Sequence, residues 1–131
     1  MSAEMHQIGE VAEAVGLSLR TIRYYGEEGL AIPSGRSTGG FRLYTDTDIE
    51  RLRLIKNLKP LDLSIDEMRE LLTTRDRLAD PATSTSDRKE LGERLAEFAA
   101  LAEERCQRLR DQLDMAEVIS GVLRREARKR T

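Results

Sequence analysis

The stretch Leu19-Arg20-Thr21-Ile22-Arg23-Tyr24-Tyr25 decides the fold of the N-terminal half of the chain. Ser18 is a favourable N-cap before it and Gly29 is a favourable helix stop after it, so the sequence predicts a short helix here. At helical spacing, Ile22 and Tyr25 point to one side. The other side carries polar side chains, which are Arg20, Arg23, Tyr24 and Glu27. The helix therefore has one face for a core and one face for solvent or a partner.

A second short helix precedes this stretch and ends at Gly16. One face of it repeats apolar residues at i, i+3, i+4 and i+7, namely Ile8, Val11, Ala12 and Val15. Two short helices joined by a tight turn with glycine make a helix-turn-helix. Turn-forming residues fill positions 33–40, and Phe41-Arg42-Leu43-Tyr44 then alternates as a short strand does. A loop and a strand after a helix-turn-helix predict a wing.

Two further helices follow the wing, and each begins with a capping box. Thr45 with Asp48 predicts the start of the first, and Ser64 with Glu67 predicts the start of the second. Pro60 separates them, because the residue before a proline is disfavoured in helical conformation. These two helices complete the N-terminal domain that the sequence predicts.

From residue 86 onward the chain has one long helical pattern without proline. Apolar or small residues recur every three or four positions, which is a heptad-like stripe with one stutter near its middle. We expect this stripe to form a dimer interface, with contacts from Leu91, Leu95, Phe98, Ala102, Cys106, Leu109 and Leu113. The rest of the chain offers nothing large enough to cover such a stripe, so the expected partner is a second copy of the chain.

The fold class predicted is mainly α, a winged helix-turn-helix domain followed by a long coiled-coil dimerisation helix. The expected division is the winged domain at 6–72, a linker at 73–85, an antiparallel coiled-coil helix at 86–120 and a basic tail at 121–131. The tail is typical of favourable charge at a mobile helix C-terminus. A second phosphate contact or a patch for a partner is the alternative for it.

Composition supports a small, charge-rich helical protein. The chain has 131 residues, 35% of them charged and 4% aromatic, with a net charge of −2. This length is short for two ordinary domains. Residues 18–59 nevertheless hold eight basic residues against five acidic ones, whereas residues 86–131 hold eleven against ten. The basic surplus is therefore concentrated in the helix-turn-helix and wing, where a polyanion would bind.

The polar face of the second helix admits two interpretations. Arginine and tyrosine can hydrogen-bond to phosphate oxygens, and arginine can also bond to purine edges in a major groove. The alternative is an ordinary solvated face, with Arg23 paired to Glu27 across one helical turn. Residue types and spacing alone leave both interpretations open.

Five stretches at fixed spacing carry a family resemblance: Ile8-Gly9-Glu10-Val11-Ala12, Gly16-Leu17-Ser18-Leu19-Arg20-Thr21-Ile22-Arg23-Tyr24-Tyr25, Gly29-Leu30, Gly40-Phe41-Arg42-Leu43-Tyr44 and Asp48-Ile49-Glu50-Arg51-Leu52. Together they resemble the N-terminal domain of MerR-family transcription regulators over roughly residues 6–72. The resemblance implies a homodimer that binds double-stranded promoter DNA at a near-palindromic operator. It further implies that the dimer distorts this DNA and acts with RNA polymerase. Neither enzymatic activity nor a cofactor is expected. The resemblance also implies DNA contacts from the recognition helix, the wing and its flank, at Ser18, Arg20, Arg23, Tyr24, Arg36, Arg42 and Tyr44.

The chain departs from that family pattern at two places. Gly26 stands where the family usually has Glu, and a glycine inside an exposed helix costs about 1 kcal/mol relative to alanine, which predicts a softer C-terminal end for the recognition helix. Pro60 and Asp62 replace the commoner residues of the turn between the third and fourth helices. This turn lies near the dimerisation helix in such proteins, so the angle between the two halves is expected to differ.

Single residues with reactive or ligating side chains offer weaker signals. Cys106 leaves open an alternative function as a thiol or metal sensor of the same family, although a cysteine on an apolar stripe is most often a small buried hydrophobe. His6 has no ligand set around it in the sequence and is expected at the surface. We therefore predict no metal site.

A second alternative comes from the net negative charge, which is also compatible with a coiled-coil interaction protein that does not bind DNA. The sequence contains neither an apolar run long enough to span a bilayer nor a signal-peptide pattern, and this favours the cytoplasm. Nothing in the sequence identifies the operator, the target genes, the effector or whether transcription is activated or repressed.

Overall fold

The computed structural model describes residues 4–130. Its elements in chain order are β1 (His6–Gln7), α1 (Ile8–Val15), α2 (Leu19–Glu27), β2 (Gly35–Arg36), β3 (Arg42–Tyr44), α3 (Asp46–Asn57), a 3-10 turn (Lys59–Leu61), α4 (Ile65–Ala79) and α5 (Thr85–Lys129). The mainly helical architecture and the winged helix-turn-helix predicted from the sequence are confirmed.

The wing is part of a small antiparallel sheet with strand order β1-β3-β2. Gly35 pairs with Leu43 in the wing hairpin, and His6 pairs with Tyr44 on the other edge of β3. The sequence did not predict β1, because two residues are too short to show an alternating pattern. This strand attaches the start of the chain to the base of the wing.

Local capping explains where the helices begin. The Ser18 hydroxyl accepts the Thr21 backbone N–H at 3.1 Å at the start of α2. Both predicted capping boxes are present, Thr45 with Asp48 on α3 and Ser64 with Glu67 on α4. The backbone and hydroxyl hydrogen bonds from Ser64 lower the pKa of the Glu67 carboxyl below its ordinary value. These caps satisfy N–H groups that the first turn of a helix leaves without an intrahelical partner.

The core of the N-terminal domain lies between α1, α2, α3, β3 and α4. Its most deeply buried members are Val11, Ile22, Leu30, Tyr44, Leu52, Ile55 and Leu72. Ile22 is 0% exposed and Leu19, one turn earlier on α2, is 39% exposed. The burial of Ile22 fixes the rotation of α2 and turns its polar face outward.

A second apolar cluster corrects our expectation for the dimer stripe. Phe98 is buried against Leu58 and Leu71, with Leu95 packed at the edge, and Leu91 is also buried. The first part of the stripe is therefore covered by its own chain, because α5 folds back along α4. Farther along α5 the large apolar side chains are exposed, and they are Leu109, Leu113, Met115, Val118, Ile119 and Leu123.

The segment expected as a linker at 73–85 is mostly helical, since α4 continues to Ala79 and α5 begins at Thr85. The turn between them is held by Arg88, whose guanidinium donates to the carbonyl oxygens of Leu78, Asp80 and Thr83. We also expected α5 to end near Gly121, yet it runs on to Lys129 because one glycine in a long helix is tolerated. The helix thus includes most of the predicted tail, of which Thr131 lies outside the described residues.

Across residues 4–130, no helix is both long and apolar enough to cross a membrane.

Replacing Ile22 with Ala is expected to lower the free energy of unfolding by about 2–5 kcal/mol, because it removes a fully buried side chain from the core. Leu19→Ala on the same helix is the matched control and is expected to cost much less, since Leu19 is partly exposed. Urea unfolding of both variants measures the difference. Equal losses would show that α2 does not face the core through Ile22.

Candidate nucleic-acid interface

The outward face of α2 gathers the polar residues that the sequence placed together. A shallow surface groove is lined by Arg20, Arg23, Tyr24 and Glu27, and we call these four residues the α2 face. Tyr24 is 39% exposed and its ring lies 6.0 Å from that of Tyr25, centroid to centroid. The face is therefore a cationic surface with an accessible aromatic hydroxyl, turned away from the core.

The arginines of this surface are not bonded to other side chains among residues 4–130. In the part of the chain that the structure describes, Arg20, Arg23 and Arg42 make neither a side-chain hydrogen bond nor an ion pair, and Glu27 does not pair with Arg23. Other arginines are bonded within the chain, for example Arg51 to Asp76 at 2.9 Å. Free guanidinium groups on one surface can bind an anion without first breaking an internal contact.

The wing is a tight hairpin whose tip is ordered by its own side chains. The Arg36 guanidinium donates to the Gly40 carbonyl oxygen at 3.1 Å, and the Ser37 hydroxyl accepts the Phe41 N–H at 3.1 Å. Gly40 has a φ of 82°, which a side chain would disfavour. Arg36 thus shapes the wing, whereas the Arg42 guanidinium on β3 has no bonded partner in the part of the chain that the structure describes.

Tyr44 was expected to contact DNA, and the structure places it in the core instead. Its side chain is 1% exposed, and its hydroxyl has no hydrogen-bond partner among residues 4–130. Burial raises the pKa of Tyr44, while the positive charges of Arg42, Arg36 and Arg23 oppose that rise. The alternation of β3 turns Tyr44 inward, so a surface ligand cannot reach its ring.

Ser18 lies at the exposed N-terminus of α2, but its hydroxyl is already used. It accepts the Thr21 N–H and donates to the Thr21 hydroxyl at 2.8 Å. Its side chain therefore stabilises the helix that carries the α2 face, and its backbone remains at the surface.

The remaining candidate residues lie on α5. Ala102 and Cys106 are half-buried, and Leu109 and Leu113 are 44% and 57% exposed. Within the described residues, no three His, Cys, Asp or Glu side chains are arranged to hold a metal ion. The geometry therefore presents the C-terminal half of α5 as an apolar surface, with nothing around Cys106 that suggests a metal site.

His6 has partners that the sequence analysis did not find. Its Nε2 lies 2.8 Å from an Asp46 carboxylate oxygen, and its Nδ1 lies 3.3 Å from a Glu10 oxygen. The hydrogen bond with Asp46, and then that with Glu10, raises the pKa of His6 above its ordinary value of 6.5. The contact joins β1 and α1 to the start of α3. Only the spacing to Glu10 was visible in the sequence, since Asp46 is 40 positions away.

Two family models match the chain. The one described as MerR HTH family regulatory protein covers residues 7–74, and the one described as MerR, DNA binding covers residues 49–116. With the winged helix-turn-helix and its cationic face, these matches define a DNA-binding transcriptional regulator. The chain belongs to the MerR family, as the sequence resemblance predicted.

Curated relatives agree with this assignment. The chain is 41% identical to the HTH-type transcriptional regulator ZntR of Escherichia coli K12 over 71 residues, which is 54% of this chain and 50% of that protein. It is 33% identical to the mercuric resistance operon regulatory protein of Pseudomonas fluorescens over 97 residues, covering 72% of this chain and 67% of that protein. The chain thus spans only half the length of ZntR.

A solved structure shows the same architecture. HiNmlR, described as a MerR family regulator lacking the sensor domain, bound to promoter DNA, superposes with a TM-score of 0.58 at 26% identity. The similarity covers 85% of this chain and 86% of that one. It extends beyond the N-terminal domain into α5.

The raised pKa of His6 predicts a pH-dependent stability. A protonated His6 stabilises the folded state, and this contribution is complete below the ordinary pKa of 6.5 and is lost as the pH rises through the raised, folded-state pKa. Wild type is therefore expected to lose more thermal stability than His6→Gln between about pH 6 and about pH 8.5. Melting curves of the two proteins across this range test it, and parallel curves would contradict it.

Proposed function

We propose that two copies of the chain bind one near-palindromic promoter operator, with one α2 in the major groove of each half-site. The observation that carries this proposal is the α2 face together with Arg42 of the wing, since within residues 4–130 Arg20, Arg23 and Arg42 make neither a side-chain hydrogen bond nor an ion pair. A dimer with two-fold symmetry reads half-sites that repeat in inverted orientation. The similar HiNmlR structure is bound to promoter DNA, which supports promoter DNA as the partner.

The proposed contacts divide into two kinds. Arg20 is close to the N-terminus of α2, and recognition helices read base edges with their N-terminal residues. Arg23 and Tyr24 follow it along the face, while Arg36 and Arg42 come from the wing and bind phosphate. Ser18 contributes through its backbone. Tyr44 is left out because it is buried.

The proposed dimer is an antiparallel coiled coil of α5 helices. We call the exposed apolar positions of one helix face, Leu109, Leu113, Ile119 and Leu123, the α5 stripe. Their steps of four, six and four residues place them within about 120° of one another around the helix, at about 100° per residue. A row of side chains that are 44–57% exposed is uncommon on a monomer, and the α5 helix of a second, antiparallel copy can cover it. In this proposal residues 6–72 bind DNA and α5 joins the copies.

The proposed mechanism is distortion of the operator. Bending or untwisting DNA costs free energy that depends on its sequence, so a dimer with two conformations can shift promoter geometry between two states. RNA polymerase at the same promoter is the proposed partner that responds to the changed promoter geometry. The cytoplasm is the proposed compartment. Footprinting on the DNA upstream of its own gene tests site, spacing and distortion together, and a uniform cleavage pattern would reject the proposal.

Replacing Leu109 and Leu113 together with Glu is expected to produce a monomer, because charges in the α5 stripe cannot be buried between two helices. Val118→Glu is the control. Val118 is 68% exposed and lies on the opposite side of α5 from Leu109 at about 100° per residue, so the dimer should remain. Analytical ultracentrifugation at micromolar concentration decides between them, and a monomeric wild type would refute the proposed interface.

Arg42→Ala and Arg20→Ala are expected to differ in their effects on DNA binding. Losing a phosphate contact lowers affinity for operator and random DNA by similar factors and flattens the slope of log affinity against log salt by about one unit. Arg42→Ala should show this pattern, whereas Arg20→Ala should lose discrimination between the two sequences. Fluorescence anisotropy on both duplexes across a salt series measures each. If Arg42→Ala loses specificity but keeps its salt slope, the wing is wrongly placed on the DNA.

A further inference from the structure

Two neighbouring residues of α4 bond to different parts of the molecule. Arg69 reaches the C-terminal end of α2, where its Nε and Nη2 donate to the Glu28 carbonyl oxygen at 3.2 and 2.9 Å. The same Nη2 lies 3.0 Å from the Glu28 carboxylate. Carbonyl groups at a helix C-terminus lack intrahelical donors, so the Arg69 guanidinium caps α2 from outside the helix.

Glu70 bonds in the other direction, to α5. Its two carboxylate oxygens accept hydrogen bonds from Nε and Nη2 of Arg94 at 2.5 and 2.7 Å, which is a bidentate pair. The Arg94 guanidinium also lies over the Phe98 ring, 4.5 Å from its centroid, and pairs with Glu97. Phe98 is itself buried against α4, so Arg94 is attached to the rigid start of α5.

A further contact ties the same end of α2 to α4. Arg51 donates from Nε to the Leu30 carbonyl oxygen at 2.5 Å and from Nη1 to Asp76 of α4 at 2.9 Å. The helix end held in this way contains Gly26, a weak helix former. The end of α2 that its own sequence leaves soft is therefore supported from outside by Arg69 of α4 and by Arg51 of α3, which is itself bonded to α4.

We infer that Arg69 and Glu70 form a positioning link that couples α5 to the C-terminal end of α2. The inference rests on the proposed role of α2 in reading the operator. A displacement of α5 acts on Glu70 through Arg94, and Arg69, the adjacent residue on the same helix, transmits it to Glu28. Because the Arg69 and Glu28 side chains are 41% and 39% exposed, salt screens this link.

Hydrogen exchange of the backbone amides at 26–31 tests the link without DNA. In wild type, the N–H groups of Glu28, Gly29 and Leu30 donate to carbonyl oxygens of α2. Glu70→Gln and Arg94→Ala are expected to speed exchange at 26–31 by about two- to thirty-fold, with α1 and α3 unchanged. The charge-reversed pair Glu70→Arg with Arg94→Glu should restore the wild-type rate. Arg108→Ala is the matched control, since it removes an ion pair with Glu104 farther along α5.

Two outcomes would overturn the inference. If Arg69→Ala speeds exchange at 26–31 while Glu70→Gln and Arg94→Ala do not, Arg69 is a local cap that is not coupled to α5. If exchange rises equally in α1, α2 and α3, the variants only destabilise the domain. The Arg69, Glu70 and Arg94 side chains are 41%, 48% and 39% exposed, so these three variants are expected to fold.

DNA binding gives an independent readout. Glu70→Gln is expected to weaken binding to the footprinted operator by about two- to thirty-fold while leaving random DNA unaffected, because the phosphate contacts stay in place. An equal loss on both duplexes would count against the link. Failure of wild type to bind any duplex would instead reject the proposed function, and the exchange experiment would still decide whether α5 and α2 are coupled.

Discussion

The burial of Ile22 is the constraint on which the rest of the interface depends. A helix as short as α2 has little stability of its own, so its packing against the core determines both its formation and its rotation. With Ile22 fully buried, the positions one and two residues away must face solvent, and these include Arg20, Arg23 and Tyr24. The same core holds Tyr44 of β3, the strand that also carries Arg42. One apolar core thus positions both the α2 face and the strand of the wing.

A protein with a net charge of −2 can bind a polyanion because its charges are distributed unequally. Several arginines away from the interface are paired or bonded, among them Arg51, Arg69 and Arg94. The unpaired arginines on α2 and the wing keep their full capacity for phosphate. The local charge and the free hydrogen-bond donors matter more for binding a polyanion than the net charge of the whole chain does.

The features predicted from the sequence were those encoded by local patterns. The two capping boxes, the glycine stops and the apolar periods of α1 and α2 identified the helices and the polar face. Contacts between distant segments were missed: Asp46 beside His6, Arg69 at the end of α2, and the burial of Phe98 by α4. Tyr44 was wrongly assigned because alternation shows that a strand has two faces without showing which one is buried. Tertiary packing decided each of these cases.

The start of α5, which is covered by α4, limits where the two-fold axis of the proposed dimer can lie. Leu91 to Phe98 are anchored on α4, so they move with the DNA-binding domain. An axis near Cys106 is 8–15 residues from the anchored segment Leu91 to Phe98, which is about 12–22 Å at 1.5 Å per residue. Because the two copies are related by this axis, their anchored segments are then about 24–45 Å apart. That range includes the roughly 34 Å between half-sites one helical turn apart. An axis at Ala116, the middle of the exposed stripe, would separate the anchors by about 54–75 Å. The operator geometry therefore favours an axis near Cys106, with each α5 stripe lying beside the anchored part of its partner's α5.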